Sequence, residues 1–220
     1  MSNLSLEHFE NGVKVYQDEQ LYKFTSDAIK LAKFCNIKHT DNVLDMCAGC
    51  GVVGLYAYSL VKCNKIYFND IQQEMCDLIN KNIALNGLED CATVLNKDLN
   101  DLVVADFGKP LDVIVCNPPY FKVNGKIKAD HKVAMCRHEL TTNLNQIITK
   151  ASNLIKNSGK FYIIIPADRL IECVVLLSAS GFEIKNMEMF YTNEAATVCV
   201  LENVKGGKSG VKIKIKKENI

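Results

Sequence analysis

Short apolar runs alternate with longer amphipathic ones through the middle of the chain. Asn42 to Met46 predicts a strand, and Val52 to Val61 a helix opened by glycines. Lys65 to Asp70 predicts a second strand. Over Gln73 to Asn86 the residues Met75, Leu78, Ile79, Ile83 and Leu85 fall largely at helical spacing, and Gly87 marks the C-terminal stop. Ala92 to Leu95 is a short strand candidate, and Leu111 to Cys116 is an almost continuous apolar strand. Asn143 to Lys156 predicts a helix stopped by Asn157-Ser158-Gly159, followed by a buried strand over Phe161 to Ile165 that Pro166 ends. A helix over 167–179 and strands over 182–190 and 196–202 complete the pattern.

Repeated strand–helix–strand units with apolar strands imply an α/β fold, a parallel sheet covered by helices on both faces. Ligands of such sheets bind beyond the carboxyl ends of the strands, where the strand order reverses. The residues just after each strand therefore carry the functional argument. Lys122 to His138 has few apolar residues and no clear period, so a mobile loop is expected directly after the strand ending at Cys116.

Composition narrows the picture. The 220 residues suit one compact domain. Hydrophobic residues at 48% and charged residues at 23% exclude a disordered or collagen-like chain. A net charge of +1 gives no whole-chain case for nucleic-acid binding, so any such case rests on local clusters. The ten cysteines are scattered, mostly inside apolar runs. Met1 to Glu10 lacks a basic stretch followed by an apolar core, so a reduced, cytoplasmic protein is expected. No apolar stretch approaches the ~20 residues of a membrane span. Cys47 and Cys50 form one CxxC with no second pair, and read as loop and core residues rather than a metal site.

The first strand runs into Asp45-Met-Cys47-Ala48-Gly49-Cys-Gly51-Val-Val-Gly54. Glycines there permit a tight turn and close approach of a ligand to the backbone. The G-x-G-x-x-G spacing alone is weak. It is sharpened by Asp45 at the end of the first strand and by Asp70 at the end of the next. A carboxylate at Asp70 can accept both ribose hydroxyls as a bidentate pair. S-adenosylmethionine and NAD both fit this stretch. Asp98, after the third strand, can reach an adenine amino group or merely cap a turn.

The fourth strand ends in Asn117-Pro118-Pro119-Tyr120, followed by Phe121. Two prolines cannot continue a central strand, so they fix a stiff loop where ligands bind. The Asn117 amide oxygen and the Pro118 carbonyl can accept the two protons of an exocyclic amine. That localises the nitrogen lone pair, while Tyr120 offers a face for stacking. The arrangement suits an adenine N6 or an amide nitrogen attacking an electrophilic methyl group.

Asp45 to Gly51, Asp70, Asp98 and Asn117 to Tyr120 together resemble the motifs of class I S-adenosylmethionine-dependent amino-methyltransferases. Phe24-Thr25-Ser26-Asp27-Ala28, Cys136-Arg137-His138-Glu139 and Val204 to Gly210 extend the likeness. The combination resembles bacterial tRNA adenine-N6-methyltransferases that modify position 37 of a valine tRNA. The resemblance implies a Rossmann-like sheet of seven mostly parallel strands with the last antiparallel, spanning 41–203. It implies an N-terminal segment, 1–40, in which Phe24, Thr25 and Ser26 close the cofactor pocket, and a basic tail over 204–220. S-Adenosylmethionine would meet Asp45, Cys47, Ala48, Gly49, Gly51, Asp70, Ile71, Asp98, Leu99 and Asn117. Asp70 stands where this family more often has glutamate, and the tail is lysine-rich where a proline–leucine ending is usual.

Two basic clusters remain. Lys122, Lys126, Lys128, Lys132 and Arg137 surround the loop after the tetrad, where Tyr120, Phe121, Lys122, Lys126 and Arg137 are expected to meet tRNA. Lys205, Lys208, Lys212, Lys214, Lys216 and Lys217 crowd the tail, with Val211, Ile213 and Ile215 between them. That alternation fits a lysine-protected edge strand, a phosphate contact, or both. Methylation of a protein glutamine amide, of rRNA or of DNA adenine is an alternative use of the tetrad. A noncatalytic S-adenosylmethionine- or RNA-binding module and an NAD oxidoreductase are alternatives of other classes. Monomer and homodimer fit the sequence equally.

Overall fold

The structure, a computed structural model, describes residues 4–18, 21, 24–118, 143–192 and 195–218. Two short strands, β1 (Leu4–His8) and β2 (Lys14–Asp18), pair as an antiparallel hairpin. Its turn carries Gly12 at φ 86°, a conformation that glycine adopts without steric cost. Helix α1 (Ser26–Phe34) follows. The main unit then runs β3 (Asn42–Met46), α2 (Val52–Val61), β4 (Lys65–Asp70), α3 (Gln73–Leu85), β5 (Ala92–Asn96) and β6 (Leu111–Cys116). After the described chain resumes come α4 (Leu144–Leu154), β7 (Ile155–Pro166), α5 (Leu170–Ala179), β8 (Phe182–Thr192), β9 (Ala195–Lys205) and β10 (Lys212–Lys217).

The sheet order is β10-β8-β9-β7-β6-β3-β4-β5. All neighbours are parallel except β9, which is antiparallel to both β7 and β8. The expected seven strands are present as β3 to β9. The sheet has eight because the tail adds β10, parallel to β8 with Lys214 opposite Glu188. Lys212, Lys214 and Lys216 are exposed, as are Ile213 and Ile215.

Strand alternation divides the core between the two sheet faces. Val43, Val113, Val115, Tyr162 and Ile164 pack with α1, α2 and α3 on one face. Leu44, Met46, Ile114, Phe161 and Ile163 pack with α4 and α5 on the other. β7 begins at Ile155, earlier than the sequence pattern suggests. Asn157-Ser158-Gly159 does not end the structure there. The strand passes through it as an irregularity, with Ser158 at φ 61° and a register shift between Leu111 and Val113.

Strand order reverses between β3 and β6. β3 leads outward to β4 and β5, and β6 leads the other way to β7. Met46 and Cys116 are register partners, so the loops that leave β3 and β6 start level with each other.

Candidate functional site

The loop after β3 is shaped by three residues in the left-handed region: Cys47 (φ 59°), Gly49 (φ 57°) and Gly51 (φ 81°). Ala48 N–H donates to Asn69 O at 2.9 Å, and Gly51 N–H to Ala48 O at 2.8 Å, which curls the loop over the end of the strand. Gly51 is also the N-cap of α2. A Cβ on Gly49 would meet nothing within 4 Å, so this turn faces open space. The opposite holds at Gly54, where a Cβ would lie 2.5 Å from the Phe68 ring. Gly54 therefore belongs to helix–sheet packing rather than to ligand approach.

Asp45 lies below that helix and is 1% exposed. Its Oδ2 accepts the Gly54 N–H at 2.8 Å. Burial pushes its carboxyl up to about 8, the Gly54 bond opposes the rise, and the nearby Asp70 charge adds to it. Asp70, 7% exposed, accepts the Gly49 N–H at 2.9 Å on Oδ2 and the Gln72 N–H at 3.0 Å on Oδ1. Burial raises it to about 6, against these backbone bonds. Each carboxylate oxygen has a second lone pair. Held in this way, Asp70 can present the pair to two vicinal hydroxyls. Ile71 beside it is an exposed apolar side chain.

Two asparagines that apolar periodicity does not single out lace the neighbouring strand ends together. Asn69 donates through Nδ2 to Leu95 O at 3.0 Å and Lys97 O at 2.9 Å. Asn96 donates to Asp70 O at 3.1 Å and Ile71 O at 3.0 Å. The available signal was Asn69 itself, a polar residue in the apolar run of β4 that is 2% exposed. Asp98 caps its own short turn, accepting the Asn100 N–H at 2.8 Å, with Leu99 buried behind it. Phe24 packs on Phe9 of the hairpin, ring centroids 5.7 Å apart. Thr25 and Ser26 are exposed at the start of α1.

Asn117 leaves β6 half-buried, and Pro118 is buried. Pro119, Tyr120, Phe121, Lys122, Lys126 and Arg137 lie outside the described residues, as does the loop expected over 122–138. Cys47 meets Cys116 rather than Cys50. Burial and the Cys47 contact push the Cys116 thiol up, and burial pushes the Cys50 thiol up to about 12. Among the described residues no group of three metal-ligating side chains comes together, and no helix is long and apolar enough to cross a membrane.

A profile of the methyltransferase small-domain family matches residues 28–184. The chain belongs to that family. Among curated relatives, this methyltransferase is 26% identical over 179 residues to the tRNA1(Val) (adenine(37)-N6)-methyltransferase of Phocaeicola vulgatus, covering 81% of this chain and 74% of the relative. It is 28% identical over 156 residues to the protein of the same name from Bacteroides thetaiotaomicron, covering 70% of this chain but only 64% of the relative's length. Among solved structures, Methanocaldococcus jannaschii Trm5 in complex with adenosine superposes with a TM-score of 0.68 at 20% identity, covering 94% of this chain and 57% of that one. M. jannaschii TYW2 in complex with AdoMet gives 0.61 at 15% identity, covering 93% and 88%. These structural matches establish the fold of the methyltransferase.

Proposed function

We propose that this methyltransferase transfers a methyl group from S-adenosylmethionine to the exocyclic N6 of an adenine in tRNA, at position 37 of a valine tRNA. The observation that carries the reading is the register that sets Asn117 level with the glycine loop at the reversal of strand order. The names of the curated relatives support the tRNA substrate and the position.

The fit of the cofactor rests on two features of the site. Gly49 opens onto free space, and the Asp70 carboxylate is fixed beside it by two backbone donors. S-Adenosylmethionine, when bound, supplies an electrophilic methyl group on a sulfonium. Asp70 takes the ribose hydroxyls, Gly49 keeps the backbone low beneath the cofactor, Gly51 allows the turn at φ 81° that places Gly49 there, and Ile71 offers apolar contact. The Asn117 amide oxygen and the Pro118 carbonyl accept the two N6 protons of an adenine turned out of its stack. Both acceptors localise the amine lone pair and aim it along the line of transfer. The surplus proton leaves to solvent after transfer. Tyr120 stacks on the base in this reading, and Pro119 stiffens the turn. Phe24, Thr25 and Ser26 close the pocket from the N-terminal side. The reaction belongs in the cytoplasm, where tRNA is modified.

The deciding experiment is methyl transfer from labelled S-adenosylmethionine to unmodified tRNAs, with the product nucleoside identified by mass spectrometry. N6-methyladenosine in a valine tRNA is expected. Label confined to protein, rRNA or DNA would overturn the substrate, and absence of transfer to any acceptor would overturn the activity.

The tail bears on tRNA binding. Lys30 and Lys33 of α1 and Lys212, Lys214 and Lys216 of β10 line a groove of about 460 Å³ together with Glu188, Glu202 and Phe190. Lys216 pairs with Glu188 at 2.6 Å and Lys30 with Asp27 at 2.8 Å. Replacing Lys212 and Lys214 by glutamate is expected to weaken tRNA binding. If each meets one phosphate, the slope of log K against log salt should drop by about 2. Cofactor affinity should not change. A salt titration with an unaltered slope would leave these lysines as guards of an edge strand only.

A further inference from the structure

The N-terminal hairpin carries a buried polar group that the reaction described above does not use. β2 turns Val15 and Gln17 inward. Val15 joins the apolar cluster that contains Cys50, Val53, Tyr56 and Ile79. Gln17 is 5% exposed, and its Oε1 has no hydrogen-bond partner. A buried oxygen left unpaired is costly, and such groups are few in native proteins.

The strand is fixed in place against the glycine loop. Lys14 N–H donates to Asn86 Oδ1 at 3.0 Å and Tyr16 N–H to Asn82 Oδ1 at 2.7 Å, so β2 climbs along α3 towards the site. Asn82 is fully buried and spends its amide on Tyr16 O at 3.1 Å and Cys50 O at 2.9 Å. One side chain thus clamps β2 directly to the loop that includes Gly49 and Gly51. Two strand residues span about the same length as one helical turn. That register carries Gln17 to about the level of Asn80, one residue from Ile79, the side chain that a Cβ on Gly51 would approach to 3.4 Å.

We infer that Gln17 is a cofactor-binding residue whose Oε1 accepts a hydrogen bond from the bound nucleoside cofactor, from its amino-acid ammonium or from a ribose hydroxyl. This rests on the S-adenosylmethionine reading above. The hairpin is then part of the binding site, with Asn82 as the positioning residue that sets its height over the glycine loop. The acceptor is held ready in the free protein and is satisfied when the ligand arrives.

Calorimetric titration with S-adenosylhomocysteine and with 5′-methylthioadenosine, which lacks the amino-acid group, tests the assignment. Gln17→Met keeps length and removes the acceptor. It is expected to weaken S-adenosylhomocysteine binding on the order of tenfold, with no loss of thermal stability. Weakening of S-adenosylhomocysteine alone assigns the ammonium as donor, and equal weakening of both ligands assigns a ribose hydroxyl. Gln17→Glu, which keeps an oxygen there, should bind S-adenosylhomocysteine at least as well as the wild type. Unchanged binding of both ligands by Gln17→Met, or a loss of S-adenosylhomocysteine binding in Gln17→Glu as large as in Gln17→Met, would overturn the inference. If the wild type bound S-adenosylhomocysteine not at all, the cofactor reading would fall first and this assignment with it.

Discussion

Replacing Asn117 by alanine should cut turnover by about 10²-fold or more, the usual scale for deleting one preorganised hydrogen-bonding group at a reacting centre. In the proposed reaction the amide oxygen meets the amine as it becomes a nucleophile, so the effect belongs in kcat. Asn117 leaves the end of β6 next to the glycine loop, and in the proposed binding mode the ribose is held by Asp70 instead. Binding of S-adenosylhomocysteine to Asn117→Ala should therefore match the wild type. Asn117→Asp, which keeps an acceptor in place, should recover part of the rate. Single-turnover methyl transfer separates the chemical step from binding. Near-normal turnover in the alanine variant would show that the amine is polarised elsewhere.

The second large effect is on stability against pH, and it comes from Asp45. In an unfolded chain an aspartate titrates near 3.9. Burial raises Asp45 to about 8 and Asp70 to about 6 in the folded protein. Between the unfolded and folded values the native state holds protons that the unfolded state has lost. Stability therefore falls as pH rises: both groups contribute from about 4 to about 6, Asp45 alone from about 6 to about 8, and neither beyond that. One proton corresponds to about 1.4 kcal/mol per pH unit. From pH 6 to 8 the free protein should lose about 2–3 kcal/mol to Asp45. Asp45→Asn keeps an oxygen for the Gly54 N–H and has no charge to bury, so urea denaturation should show that loss removed. An Asp45→Asn curve that falls as steeply as the wild type over this range would mean that Asp45 is already ionised in the folded state. In the proposed binding mode the cofactor's positive charge lies above the glycine loop and favours the Asp45 carboxylate, so cofactor binding should release protons near neutral pH, which calorimetry in buffers of different ionisation enthalpy would show.

Much of this arrangement is legible in the sequence, for reasons that differ from place to place. The bounds of β3, β4 and β6 match the apolar runs because those strands are buried almost throughout, and those of α2 because a glycine turn opens it. The link between Asp70 and the glycine loop follows from the same pattern, since both lie at ends of adjacent parallel strands. The N-terminal hairpin is harder to read. β1 and β2 are five residues each, and only one face of β2 is buried, so their composition resembles that of a loop. β7 is longer than its apolar stretch because hydrogen bonding to β6 resumes before the polar triad at 157–159. Gln17, Asn69 and Asn82 escape a reading based on apolar periodicity because their roles depend on which backbone groups the fold brings to them. The lysine and isoleucine alternation in the tail does form an edge strand, and its contact with RNA is a separate matter of charge.

The place of β9 between β7 and β8 has a kinetic consequence. β8 and β9 pair along almost their whole length, closing from Thr192 opposite Ala195, so they zip as a local hairpin. β7 and β8 come from a strand–helix–strand unit and could meet side by side first, but that pairing would shut β9 out. A hairpin that is complete before it docks on β7 through β9 avoids that exclusion. The other half of the sheet, which bears the glycine loop and Asp70, has no such hairpin and joins β3, β4 and β5 through helical crossovers. A chain caught with β7 on β8 would hold most of its native strands and lack the fold.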